Sequence, residues 1–374
     1  MRITFILPTV NLTGGIRVVA IYAKALADKG HAVTLISPAP WPISLRQKVK
    51  SFLTGKGWPA EQGKRESHLD GLHLNHKQLN SWRAPKDDDV PDADVIVATW
   101  WETAEWVAAL SACKGAKAYF IQHYEIHPYL PIERCKATYR LPLHKIVIAR
   151  WLNNIMNNEY EDSQIDLVPN SVDHSLFFAS ERGKQLVPTV GFLYSKSSYK
   201  GVDVTLQVID LLRQRFPDLR VISFGSARPE WDNGTGIEFS YSPPQKDLRN
   251  LYAQCDVWIT ASRSEGYNLP AMEAMACRTP VLSTKAGWPE EAVVTGKNGA
   301  LVEVDDVDAL FENAVSILSL PDEAWRTMSR NAYETVKDSS WDLSADMFEN
   351  ALLHACERAR KGEIAGRCQQ IQVK

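Results

Sequence analysis

Between Ser262 and Pro289 the chain reads SRSEGYNLPAMEAMACRTPVLSTKAGWP, and no other stretch constrains the fold as tightly. Two carboxylates, Glu265 and Glu273, stand eight positions apart, with Pro270 between them at the start of a helical segment. The apolar runs Asp256–Ala261 upstream and Pro280–Thr284 downstream have the length and composition of buried strands. A strand, a turn carrying one acid, a helix whose first turn carries a second acid, and another strand make an α/β crossover. Ligands of open α/β sheets bind at the carboxyl ends of the strands, and that is where Glu265 falls.

The same rhythm opens the chain. Ile3–Leu7 is an apolar run, Asn11–Gly15 a turn, and Ile16–Lys29 a helix with Val18, Val19, Tyr22, Ala23 and Leu26 on one face. Gly30 stops that helix, and Val33–Ile36 is the next strand. Two features count against a nicotinamide site: the turn lacks GxGxxG, and the second strand ends in Ser37–Pro38 rather than in an acid for a ribose. Further strands are expected at Asp94–Ala98, Ala118–Gln122 and Ile146–Ala149, and Asp166–Phe178 reads as a strand leaving the first domain. The polar run Ala179–Leu186 marks the boundary, giving domains over 1–180 and 181–341. In the second, strands are expected at 187–193, 220–224, 257–261 and 281–283, and helices at 202–215 and 308–318. Trp341–Arg358 is a last amphipathic helix, assigned to the first domain over 342–358, and 359–374 a basic tail.

A length of 374 residues calls for two or three domains. The net charge of −3 supplies no pull toward nucleic acid, which is not an expected partner. Six cysteines without a CxxC pair suit a reducing compartment, and no apolar run reaches a membrane span. The N-terminal apolar run is interrupted by Pro8 and Asn11, unlike a signal peptide, so a cytoplasmic placement is expected. Residues 41–65 set Leu45, Val49, Phe52 and Leu53 against Arg46, Lys48 and Lys50. Two readings stand for that segment: a helix packed on its own domain, or a contact with an anionic membrane surface. Asp87–Asp89, with Asp92 and Asp94, have the spacing of a metal-diphosphate site. They precede a strand, however, whereas sites on such sheets follow strands, and no metal site is expected.

Several side chains sit where chemistry is expected. Gly14 and Gly15 follow the first strand, where backbone N–H groups can approach a phosphate. His123 stands at the end of the strand Ala118–Gln122. Lys196 and Lys200 are the cations of the loop YSKSSYKG. A preorganised ammonium there would stabilise charge on a departing diphosphate, each charged hydrogen bond contributing roughly 1.5–3 kcal/mol. Glu265 and Glu273 accept hydrogen bonds from sugar hydroxyls, although an acid like Glu273 can also simply complement a helix dipole.

With EGYNLPAMEAMACRTPV as its centre, the chain resembles the retaining glycosyltransferases of family 4, which have the GT-B fold. Their pattern of acid, seven residues and acid is met by Glu265 and Glu273. Gly14–Gly15, Pro169–Asp173 with Phe177, Gly287, Pro289, Glu290 and Gly296–Val302 match further family segments. The resemblance implies two Rossmann-like domains facing across a cleft, with the C-terminal helix returning to the first. It implies a nucleotide diphosphate sugar bound without a divalent metal and with no cofactor. Glu273 would hold the ribose, Glu265 would face the donor sugar, Lys200 would neutralise the diphosphate and the Gly15 backbone would approach it. Tyr267, Asn268 and Leu269 would line the donor site, with His123 beside the reacting carbon.

The chain departs from the pattern at three places. Tyr194 and Ser195 stand where the family carries an Arg, leaving Lys196 as the substitute cation; Arg278 and Asn268 replace common glycines. Gln122–Glu125 and Tyr139 are similar to bacterial rhamnosyltransferases. The expected function is hexosyl or deoxyhexosyl transfer to a glycan or lipid-linked acceptor, in surface polysaccharide, lipopolysaccharide or glycolipid synthesis, on the inner face of the membrane. The rival readings are a phosphorylase, a nucleotide-sugar epimerase, and a scaffold that binds sugar nucleotides without turnover.

Overall fold

The computed structural model describes residues 1–42, 66–229, 231 and 235–368. The basic segment 41–65 therefore lies, apart from Trp41 and Pro42, outside the described residues. The chain divides into two compact units, Met1–Pro169 with Asp342–Lys374, and Asn170–Trp341.

The first unit is built on a parallel sheet of β1 (Arg2–Ile6), β2 (Ala32–Ser37), β3 (Asn75–Gln78), β4 (Val95–Ala98), β5 (Ala116–Ile121), β6 (His144–Val147) and β7 (Asp166–Leu167), in the order 3-2-1-4-5-6-7. Every residue of β4 and β5 is buried, as expected of strands covered on both faces. Register is fixed by matched apolar residues, Phe5 pairing with Leu35 on one side and Val97 on the other.

The second unit repeats the plan with β8 (Thr189–Leu193), β9 (Arg220–Gly225), β10 (Ile237–Tyr241), β11 (Val257–Thr260), β12 (Val281–Thr284) and β13 (Gly299–Val302), in the order 10-9-8-11-12-13. Its core gathers Val190, Phe192, Val208, Leu212, Ile259, Leu282 and Leu310. In both sheets the strand order reverses beside the first strand, between β1 and β4 and between β8 and β11. The crevice outside the carboxyl ends at such a reversal is the ligand position of this architecture.

The expected long strand Asp166–Phe178 is only two residues long, because the segment beyond Pro169 packs on the second unit. Asn170 O accepts from the Tyr267 hydroxyl at 2.7 Å, and Phe177 packs edge-on against Tyr252. The division accordingly falls at Pro169–Asn170, ahead of the 180–181 expected from polarity.

The last helix, Trp341–Arg360, belongs to the first unit from Asp342 onward. Phe348 stacks on Tyr22 with ring centroids 4.6 Å apart and meets Phe120 edge-on. The Ser344 hydroxyl donates to Pro169 O, and Glu349 bonds both Lys29 and His31. Among the described residues no helix is long and apolar enough to cross a membrane.

Candidate donor site

The chemistry-bearing loop of the second unit follows β8. It closes in a 3-10 turn, Ser198–Lys200, and passes through Gly201 at φ +60°. A Cβ at Gly201 would fall 1.8 Å from Ala261 O, so only glycine lets this turn lie against the end of β11. The turn is tied down from the β11 side: Arg263 N donates to Tyr199 O at 2.7 Å, and the Arg263 guanidinium donates to Ser198 O. The same guanidinium pairs with Asp203 and Asp305, and beside it the Asp203 carboxyl is held below the usual carboxylate range.

This docking delivers Lys200 to Glu265. The ammonium lies 2.7 and 2.8 Å from the two carboxylate oxygens, and the Ser262 hydroxyl donates to Oε1 at 2.8 Å. Glu265 is 7% exposed, so its charge is held by these partners rather than by bulk water. Lys200 follows β8 and Glu265 follows β11, the two strands that flank the reversal of the second sheet. Lys196 sits exposed in the same loop; of the two loop lysines, Lys200 is the one bonded to the carboxylate.

The segment between the acids is shaped by close backbone approach. Gly287 at φ +72° leaves no room for a Cβ, which would stand 2.8 Å from Glu265 Cβ. Trp288 N donates to Tyr267 O, and the Trp288 ring stacks on Tyr267 at 5.8 Å. Asn268 precedes the helix Leu269–Ala276 at φ +76°, a conformation Asn tolerates better than most residues, and its amide donates to Thr260 Oγ1 at 2.9 Å.

Glu273 corrects one expectation. It lies one turn into Leu269–Ala276, beyond the first turn, where the dipole's pull on an acid has faded. It is 3% exposed, and Tyr252, fully buried, donates its hydroxyl to Oε2 at 2.8 Å. Tyr252 carried no signal in the sequence, because it lies on the separate helix Gln245–Ala253.

The glycine replaced by Arg278 does need the left-handed region: Arg278 has φ +60° just past the helix end. Its N–H bonds Met275 O, its side chain donates to Ala179 O, and the guanidinium lies 4.3 Å from the Tyr333 ring centroid. Those contacts offset a backbone cost of roughly 1–2 kcal/mol.

In the first unit, Gly14 and Gly15 are the first residues of the helix Gly14–Asp28, rather than the end of a preceding turn. A Cβ on Gly14 would meet nothing within 4 Å, and one on Gly15 would meet only the Gln122 amide, at 3.7 Å. The protein's own packing does not require either glycine; what they leave is open space at a helix N-terminus after β1.

His123 follows β5. Its Nδ1 lies 2.9 Å from the Tyr124 carbonyl, which can only accept, so Nδ1 carries the proton in the neutral ring. The ring packs 4.7 Å from that of His127, whose pKa is lowered by burial. The Tyr139 hydroxyl accepts from Glu125 N at 2.9 Å and reaches His123 O at 3.4 Å. Glu125 is fully buried and accepts from Trp101 N; burial pushes its carboxyl well above the ordinary range.

Four of the five aspartates between 87 and 94 are spent locally. Asp89 takes Arg83 and Lys86 N, Asp87 takes Ser111, Asp92 pairs with Lys114 and Asp94 with Arg2. Among the described residues no group of three or more His, Cys, Asp or Glu side chains is arranged to hold a metal ion.

Comparison with known proteins agrees with the sheet topology. Two Rossmann-like units with parallel sheets are the GT-B architecture of glycosyltransferases. Sucrose-phosphate synthase of Thermosynechococcus elongatus superposes with a TM-score of 0.72 over 96% of this chain and 100% of its own, at 17% identity. HepE of Anabaena, solved with UDP and glucose, gives 0.69 over 95% and 100%, at 15% identity.

In sequence, residues 184–319 match the family model of glycosyl transferases group 1. The chain is 30% identical over 172 residues to the D-inositol 3-phosphate glycosyltransferase of Corynebacterium urealyticum, covering 42% of this chain and 40% of that one. It spans about half the length of the curated relatives it matches.

Proposed function

We propose that this protein is a retaining glycosyltransferase that moves a hexosyl or deoxyhexosyl group from a nucleoside diphosphate sugar to a glycan or lipid-linked acceptor, without a divalent metal. The observation that carries this reading is the Lys200–Glu265 pair at the reversal of the second sheet, with Glu273 braced by Tyr252 on the helix that follows. The group 1 match over 184–319 covers the same residues.

In this reading Glu273 accepts the ribose hydroxyls of the donor, and Tyr267, Asn268 and Leu269 shape the site around it. Lys200 is already held in place by Glu265, so little reorganisation is needed when a diphosphate arrives. As the ammonium turns to the phosphate, Glu265 becomes an acceptor for hydroxyls of the donor sugar. Lys196 adds a second positive charge, and the Gly14 and Gly15 N–H groups are backbone donors to phosphate. His123, fixed through Tyr139, stands by the reacting carbon.

The bond from the sugar carbon to the leaving phosphate oxygen breaks while the acceptor oxygen bonds the same face of that carbon. The acceptor proton passes to the departing phosphate, and the anomeric configuration is kept. Lys200 carries out the charge neutralisation that a divalent metal performs elsewhere. The setting that suits this activity is surface polysaccharide, lipopolysaccharide or glycolipid synthesis at the cytoplasmic face of a membrane.

UDP-sugars are the first donors to test, since HepE was solved with UDP and glucose. A donor at 100 times its dissociation constant adds about 2.7 kcal/mol to stability, read as a thermal shift. Proton NMR of the product then reports the anomeric configuration. Release of nucleoside diphosphate with a new glycoside of retained configuration supports the reading. Dependence on orthophosphate, or a sugar changed while still on its nucleotide, would replace it with a phosphorylase or an epimerase.

A further inference from the structure

β2 ends at Ser37 and its neighbour β3 at Gln78, and four residues after each end stands a tryptophan, Trp41 and Trp82. Adjacent parallel strands thus deliver two indoles to one rim, with ring centroids 3.9 Å apart at 62°. Trp106, on the helix Trp101–Ala109, continues the row 6.4 Å from Trp82. Trp41 is 60% exposed.

Trp106 also walls a cavity of about 480 Å³, together with Lys86, Asp87, Asp88, Glu105 and Ala109. That volume lies in the usual small-molecule range of roughly 300–1,000 Å³. Asp87 is engaged by Ser111 and Glu105 by Arg134. Asp88 is exposed and makes no hydrogen bond or ion pair with a described residue.

We propose that the row Trp41–Trp82–Trp106 and the cavity at its end bind an uncharged oligosaccharide. Indole faces cover the C–H faces of pyranose rings, and a carboxylate that only accepts hydrogen bonds suits sugar hydroxyls. Asp88, and Asp87 whose carboxylate is held by Ser111 without a cation in direct contact, disfavour phosphates, nucleotides and anionic lipid. An apolar peptide would leave Asp88 desolvated and unpaired.

The location gives the site its use. The helix Trp101–Ala109 starts beside Glu125 at the carboxyl end of β5, and its last turn lies over the start of β5, where Lys117 Nζ donates to Ala108 O. Nine residues of helix rise about 13 Å. The row therefore starts at the strand-end edge that also carries Gly15 and His123 and runs away from it toward Trp106, so a chain lying on it is gripped beyond its reacting end. That the oligosaccharide is the acceptor rests on the proposed function; that it binds here does not.

The test is a glycan array of uncharged microbial and plant oligosaccharides of two to eight sugars, probed with the full-length protein, Trp106→Ala and Asp88→Lys. Expected is retention of a subset by the wild type and at least tenfold weaker retention by both variants, with the UDP thermal shift unchanged. Asp88 is exposed, so its variant keeps the test valid if Trp106→Ala folds poorly. A blank array, retention of anionic glycans alone, or equal retention by Asp88→Lys overturns the site. Glycan retention with no response to any of the common nucleoside diphosphates and their sugars leaves the site standing and removes the transferase reading, whereas sugar transfer with a blank array does the reverse.

Discussion

Lys200 grips both oxygens of Glu265, at 2.7 and 2.8 Å, across the point where the second sheet reverses its strand order. The carboxylate is the more buried partner, with 8% of its side chain exposed against 21% for the lysine. Removing the cation strands a desolvated negative charge. Lys200→Met should lower stability by about 3 kcal/mol in urea unfolding and abolish sugar transfer. Adding Glu265→Gln should restore much of the stability and none of the activity. Full activity in the single variant would refute the role given to Lys200.

Tyr252 bonds Glu273 from a separate helix, at full burial. Tyr252→Phe removes a hydrogen bond to a charged group, worth roughly 1.5–3 kcal/mol, and releases the carboxylate from its orientation. Affinity for the donor nucleotide identified by thermal shift, measured by calorimetry, should fall about tenfold, the equivalent of 1.4 kcal/mol. Glu273→Ala should weaken it at least as far. Unchanged affinity in both would remove the ribose from Glu273.

Gly201 is the hinge on which the lysine turn closes. An alanine there combines a left-handed backbone with a Cβ 1.8 Å from Ala261 O. Gly201→Ala should destabilise by more than about 2 kcal/mol and lose activity even when folded at low temperature. Wild-type turnover would show that the turn can be rebuilt without the contact with β11.

Glu125 makes stability depend on pH in a direction opposite to that of a salt-bridged acid. Burial raises its folded pKa, so the folded chain keeps a proton that the unfolded chain loses above about pH 4.3. Its contribution is fully present below that pH and declines as pH rises toward the folded value. Glu125→Gln should therefore gain on the wild type between pH 5 and 7, by up to about 1.4 kcal/mol per pH unit. Urea unfolding at three pH values reads this directly, and a constant difference would contradict it.

Strands, helices and the two-domain plan were legible because buried parallel strands and amphipathic helices leave local patterns a few residues long. β3, β10 and β13 were not read as strands, Asn75–Gln78 being polar, and β7 was found but drawn too long, since the run after Leu167 looks extended whether or not it is paired. The first turn of Leu269–Ala276 was set too far along by treating Glu273 as part of it, a shift that periodicity alone does not resolve.

At the site, the order of residues determined the chemistry on offer: two acids eight positions apart, a loop with two lysines, and glycines after strands. Which cation meets which acid was decided by tertiary structure. Lys200 reaches Glu265 across 65 positions because β8 and β11 are neighbours, Gly201 permits their loops to touch, and Arg263 holds the turn in place. Tyr252 became the partner of Glu273 in the same way, through the packing of two helices. Sequence spacing fixes what neighbours along the chain can do; strand order and burial bring distant charges together, and those contacts are written nowhere in the local pattern.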